Sequence, residues 1–223
     1  MSDSAAIRPA ATLVLLREAN GQIETLLLRR LSKSGRGAWV FPGGVVEPQD
    51  GGDADEENSA RAAAVRETHE EAGITVAQES LQFISHWTTP DAPEVSKKRF
   101  STWFFLSDQP VGEIEVDKVE IDAYRWCVPA DVIAEHQAGE LKMLPPTLVT
   151  LTELAACESI EDAKAFYKSR TVPYIEPRMA TADDKICMLY AGDAGYEATD
   201  GTAAGARNRC WLEGHYWRYD FTG

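Results

Sequence analysis

The stretch that most constrains this chain is RETHEEAGI, residues 66–74. Read as a helix, it places Glu67, Glu70 and Glu71 at i, i+3 and i+4, so three carboxylates share one face. Like charges at that spacing weaken a helix by about 0.2–0.5 kcal/mol per pair. A fold that keeps them must leave the face to water or set it against a cation. The preceding residues favour the helix, because SARAAAVRETHEEA (59–72) is rich in helix formers. Asn58 or Ser59 suits its N-cap, and Gly73 suits the left-handed position after its last turn. Val65, Thr68 and Ala72 then form the buried side, with the glutamates pointing elsewhere.

Around this helix the pattern is mixed. ATLVLLR (11–17) and IETLLLRR (23–30) are apolar runs joined through Asn20-Gly21, which predicts a β-hairpin. AWVFPGGVVEP (38–48) reads as a strand broken at Pro42-Gly43-Gly44, where two glycines let the backbone turn and approach a ligand closely. PQDGGDADEEN (48–58) reads as an acidic loop. LQFISHWTT (81–89) and RFSTWFFLS (99–107) read as strands, and EIEVDKVEIDAYRWCVP (113–129) as an acidic segment leading into a short strand. Three helices follow: one over 129–141 ending near Gly139, one over 145–158 and one over 159–170. The tail ends in NRCWLEGHYWRYDF, which predicts an aromatic hairpin turning near Glu213-Gly214.

The 223 residues carry a net charge of −14, which repels phosphate backbones and argues against general nucleic-acid binding. An anionic substrate needs a local cationic adaptor, a metal ion or a few placed arginines. No apolar run reaches the roughly 20 residues of a membrane span. The acidic start of MSDSAAIRPAATLVLL suits a first strand and not a signal peptide. Cys127, Cys157, Cys187 and Cys210 are far apart and form no CxxC pair, so reduced thiols in a cytoplasmic protein are expected and a zinc site is not.

Clustered carboxylates suit hard divalent cations such as Mg²⁺ or Mn²⁺, which prefer oxygen ligands and bridge proteins to phosphates. A solvated acidic face is the bland alternative. Arg29, Arg30, Lys33 and Arg36 precede the Gly-Gly turn and either solubilise an edge loop or grip a phosphate. Alternation along the strand aims Arg30 inward. Trp87, Phe100, Trp103 and Phe104 either fill the core or stack on a base, His86 reads as a satisfied core histidine, and His69 as exposed.

FPGG followed by RExxEExG resembles the box of the Nudix hydrolase superfamily, G-x5-E-x7-R-E-U-x-E-E-x-G-U, with U bulky and apolar. Arg66, Glu67, Glu70, Glu71, Gly73 and Ile74 match its second half, and Gly43 and Gly44 its start. Two departures stand out. The box's first Glu falls on Asn58, and eighteen residues separate Glu47 from Arg66 where the simple box has ten, so the loop carries an insertion. Glu56 or Glu57 is then expected to brace Arg66, and Thr68 stands where a bulky apolar residue is usual. VFPGGVVEP, HWTTP, RFSTWFFL, RWCVPADVI and LPPTLVTLTEL, in that order, resemble the Nudix hydrolase 19-like (coenzyme A diphosphatase) branch over roughly residues 8–155.

The resemblance implies an α/β fold, the Nudix α/β/α sandwich with a mixed sheet, and a C-terminal helical and β extension. Residues 1–145 would be the Nudix domain, with 146–223 packed on it. It implies Mg²⁺ or Mn²⁺ held by Glu67, Glu70 and Glu71, with the Gly44 carbonyl completing the site. Glu70, Glu71 and Arg66 would form the catalytic set, Arg66 by pinning the loop and helix rather than by touching substrate. A further carboxylate beyond the box serves as base or ligand; Glu120, six residues before Trp126, matches best, with Asp117 and Asp122 as rivals. Arg30, Arg36 and Phe100 are the substrate-binding candidates.

The implied activity is hydrolysis of a phosphoanhydride in a nucleoside diphosphate linked to another group, with coenzyme A or acyl-CoA as the branch's substrate. ADP-ribose or dinucleotide hydrolysis is the alternative within the class. A nucleotide-binding regulatory module without turnover is the alternative outside it, and the intact glutamates argue against it. An RNA decapping role sits poorly with the charge. The aromatic tail hairpin leaves room for a homodimer.

Overall fold

The computed structural model describes residues 6–31, 36–51, 55–92 and 98–222. Strand β1 (Ile7–Ala19) and strand β2 (Gln22–Arg30) form the expected hairpin, pairing Leu16 with Thr25 and Ala19 with Gln22. Asn20 and Gly21 both take positive φ, 53° and 73°, as a two-residue turn between twisted strands requires. β1 also runs parallel to β6 (Arg99–Ser107), which pairs antiparallel with β5 (Gln82–Thr88). The short strands β3 (Trp39–Val40) and β4 (Gly43–Val45) add to β2 and β1, and β7 (Ile121–Cys127) pairs with β2. With β8 (Tyr174–Ile175) beside β5, this is an eight-stranded mixed sheet.

Both faces of that sheet are covered, which is why β1 and β2 read as nearly unbroken apolar runs. Leu13, Leu15, Leu26 and Leu28 pack against Ala60, Ala63 and Ala64 of helix α1 (Glu56–Ala72). Val14, Leu16 and Leu27 face the other way. There they meet helices α2 (Pro129–Gln137), α3 (Pro145–Ala155) and α4 (Ile160–Ser169), through Val132, Leu148, Leu151 and Tyr167. The architecture is thus an α/β/α sandwich.

The tail holds more strand than its sequence suggests. The terminal hairpin is β11 (Asn208–Glu213) and β12 (Tyr216–Phe221), turning at Gly214-His215, and it joins β10 (Lys185–Leu189) and β9 (Arg178–Ala182) in a second, four-stranded antiparallel sheet. Met188 and Cys210 of this sheet belong to the same apolar core as Val14 and Leu148. Among the described residues no helix is long and apolar enough to cross a membrane, and all four cysteines are free thiols.

Helix α1 begins earlier than its sequence predicts. Asp55, not Asn58 or Ser59, is the N-cap, its carboxylate accepting from the Asn58 amide at 3.0 Å. Glu56 and Glu57 form the first turn, where the helix dipole favours acids. The C-cap is the expected one: Gly73 is left-handed (φ 70°) and donates its N–H to the His69 carbonyl.

Candidate active site

The site grows from three pieces of chain: the Gly43-Gly44 turn, a 3-10 turn at Pro48–Asp50, and the last two turns of α1. Their junction is Arg66. Its Nε and Nη2 donate to the two carboxylate oxygens of Asp50, each at 2.9 Å, and Nη2 also donates to the Val45 carbonyl at 3.0 Å. Asp50, not Glu56 or Glu57, therefore braces Arg66; Glu57 is instead paired with Arg61 one helical turn along. Burial pushes the Asp50 carboxyl up, but the hydrogen bonds from Arg66 and the Glu47 amide outweigh it and hold it below the usual range. No spacing rule points to Asp50, because the turn at Pro48–Asp50 brings it to Arg66 through space.

Arg66 also serves the glutamate face. Its Nη1 donates to Glu67 Oε1 at 2.8 Å and to Glu70 Oε2 at 3.0 Å. Glu67 presses on the Gly-Gly turn, and a Cβ at Gly44 would overlap its carboxylate and push it from this position. Gly43 is excluded from bearing a side chain by the Ala11 carbonyl and by its positive φ.

Glu71 departs from the expectation that all three glutamates point away from the buried side. It is only 5% exposed, and its Oε2 accepts the Gly43 amide at 2.9 Å. Burial pushes its pKa up to about 8, against the pull of the Gly43 amide and the Arg30 charge. Burial likewise raises Glu67.

Glu120 lies exposed just before β7, and its charge adds to that of Glu67 in raising Glu71. Its rivals are engaged elsewhere. Asp122 forms a two-pronged pair with Arg29 at 2.8 and 2.9 Å, and Asp117 accepts the amides of Val119, Glu120 and Ile121.

These oxygens are the hard donors that Mg²⁺ or Mn²⁺ prefers, and the missing side chain at Gly44 lets the Glu67 carboxylate lie against the turn. Among the described residues, no three His, Cys, Asp or Glu side chains stand close enough to enclose an ion as they are. Glu67 and Glu70 close on the guanidinium instead.

The substrate candidates divide between two cavities. Arg30 lines both and sets its Nη2 3.5 Å from the Gly43 carbonyl. One, about 430 Å³, adds the cations Arg29, Arg36 and Lys142 beside Asp122 and Glu140. The other, about 470 Å³, holds Phe100 together with Gly43 and Gly44. Lys33 lies outside the described residues. Trp87 and Phe104 also face this second cavity from the core, while Trp103 is buried against His86. His86 is a satisfied core histidine, bonded to Ser101 Oγ at 2.9 Å, and His69 is exposed. The sequence offers no sign that Met188, Tyr190 and Trp217, from the tail, share the cavity with Phe100.

The chain matches the NUDIX domain family over residues 7–146. It is similar to a solved NUDIX hydrolase from Alicyclobacillus acidocaldarius, with TM-score 0.63 and 28% identity, over 76% of this chain and 98% of that one. It is 24% identical to putative nudix hydrolase 7 of Caenorhabditis elegans, over 85% of this chain and 74% of that protein. It is 26% identical to the acyl-coenzyme A diphosphatase NUDT19 of Xenopus laevis, over 51% of this chain and 31% of that protein, so the match spans about a third of that relative's length.

Proposed function

The chain belongs to the NUDIX domain family and is a Nudix-type pyrophosphohydrolase; from that premise we propose that it splits the phosphoanhydride of coenzyme A or an acyl-CoA, yielding phosphopantetheine or its acyl form and 3′,5′-ADP. The observation that carries the site is the surplus of acid at the Gly-Gly turn. Arg66 is shared by Asp50, Glu67 and Glu70, while Glu71 lies buried with only an amide and the more distant charge of Arg30 to offset it. A surplus of buried carboxylate is costly unless a cation completes it.

In this reading Glu67, Glu70 and Glu71, with the Gly44 carbonyl, hold Mg²⁺ or Mn²⁺. Such an ion, when bound, polarises phosphate oxygens and lowers the pKa of a bound water. Arg66 acts by position: clamped by Asp50 and Val45, it fixes the pitch of α1 against the turn. Arg30 and Arg36 grip the phosphate oxygens from the cavity that they share, and Glu120, exposed and near enough for its charge to raise Glu71, takes the proton of the attacking water. Four free thiols suit the reducing cytoplasm.

Support for the coenzyme A substrate comes from the matched relative's name and from the joining of a cationic and an apolar cavity at Arg30. The test is turnover of coenzyme A, ADP-ribose and a dinucleoside polyphosphate in ¹⁸O-water with Mg²⁺ or Mn²⁺. The reading predicts coenzyme A as the best substrate, with label in one of its two products. Preferred turnover of ADP-ribose or the dinucleotide would displace it.

A further inference from the structure

The cavity beside Gly43 and Gly44 has one wall that does not come from the Nudix core. Pro177, Met188, Tyr190 and Trp217 line it, and all four lie beyond residue 146, where the family match ends. Met188 and Trp217 sit on different strands of the second sheet, β10 and β12. That sheet is held to the core by His136, whose ring accepts from the Trp217 amide at 3.0 Å, and by the shared apolar cluster. Phe41, Phe100 and Phe104 of the Nudix core line it as well.

The chemistry of the lining selects its occupant. Among the described residues its only charged side chains are Arg30 and Lys98, and its remaining polar side chains are threonine hydroxyls, the Tyr190 hydroxyl and the indoles. Among the described residues no Asn, Gln, Asp or Glu side chain lines it, so the amides and carboxylates that would select the polar edge of a nucleobase are not found there. An apolar lining rewards buried methylenes instead. At about 470 Å³ the space is larger than any single side chain needs. The Trp87 ring adds a further apolar surface to the lining.

We infer that the C-terminal sheet makes this enzyme selective for substrates carrying an uncharged, flexible alkyl or acyl arm on one side of the phosphoanhydride, with Trp217 and Met188 as the specificity-determining residues. The arm lies in the apolar cavity, and the anionic half of the substrate lies across Arg30, toward Arg36 and Lys142. The inference rests on the pyrophosphohydrolase reading but not on coenzyme A itself.

Two substrate series separate the two questions: CoA, butanoyl-CoA and octanoyl-CoA, and the methyl, butyl and octyl esters of ADP. In wild type kcat/KM should rise with chain length in both, by up to about fourfold for each methylene that reaches the cavity. Trp217→Ala should flatten that dependence, while Trp217→Phe keeps most of it. Met188→Gln, close in volume and on another strand, should flatten it too, which keeps the test decisive if Trp217→Ala folds poorly. Chain-length dependence in the ADP esters without turnover of any CoA would sink the coenzyme A reading and leave this inference standing. Flat profiles in wild type, or profiles untouched by Trp217→Ala and Met188→Gln, would overturn it.

Discussion

Arg66 and Arg209 both hold buried carboxylates, with opposite balances of charge. Arg209 lies in the C-terminal sheet with its side chain and that of Asp193 fully shielded from solvent. Its Nε donates to Asp193 Oδ2 at 2.7 Å, its Nη1 to the Gly201 carbonyl, and the amides of Gly195 and Asn208 satisfy the remaining carboxylate lone pairs. One cation meets one anion and little is left over. Arg66 serves Asp50, Glu67 and Glu70 at once, with Glu71 buried alongside. The first arrangement ties strand β11 to the loop that precedes it. The second carries more carboxylates than cations, and that surplus is the reason we propose it as the site of chemistry.

The sharpest break of the comparison is to remove an anion from each side. Asp193→Ala leaves Arg209 buried and unpaired, at a cost of about 3–5 kcal/mol by chemical denaturation. Glu71→Gln replaces a carboxyl whose ionisation burial disfavours with a neutral group and should leave metal-free stability unchanged or higher. Equal losses in both variants would mean that the two sites are alike.

Glu70→Gln should lower turnover by about 10²-fold or more in saturating substrate, because a lost ligand removes transition-state stabilisation, with the denaturation midpoint nearly unchanged. Arg66→Lys keeps the charge but loses the two-pronged grip on Asp50. It should weaken Mg²⁺ or Mn²⁺ affinity by about 10–100-fold, as outer-shell changes do, read by titrating the ion against activity.

The smallest effect is in pH, and the two sites pull in opposite directions. Asp193 is held below the usual carboxylate range: burial raises it, but Arg209 and two amides outweigh that. Its stabilisation is therefore present above the unfolded carboxylate pKa and is lost as the pH falls through its own. Glu71 is raised to about 8 by burial, so its contribution is present below the unfolded pKa and is lost as the pH rises toward that value. Metal-free protein should thus lose at most about 2 kcal/mol between about pH 6 and about pH 7.5. Glu71→Gln should flatten that slope, and a divalent ion should restore more stability at the higher pH.

What the sequence discloses follows the range of the interactions. The hairpin at Asn20-Gly21, the cap at Gly73 and the two-faced strands β1 and β2 are local in origin, and their residues show them. The acidic run before α1 hid the helix start, since PQDGGDADEEN reads as loop although Asp55 caps and Glu56 and Glu57 suit the first turn. Asp50 reaches Arg66 across sixteen residues, and Glu71 is buried by a strand twenty-eight residues away, so neither was visible in helical spacing. In the tail, RMATA at β9 lacks the apolar alternation that marks a strand, and Trp217 meets Phe100 across one cavity only after two sheets have formed.

The central claim is that the carboxylates around Gly44 await a divalent cation. Mn²⁺ binding followed by electron paramagnetic resonance at neutral pH tests it directly, in wild type, Glu67→Gln and Glu71→Gln. The account predicts that wild type binds Mn²⁺ and that each substitution weakens binding by about tenfold or more. Equal binding in all three would contradict it.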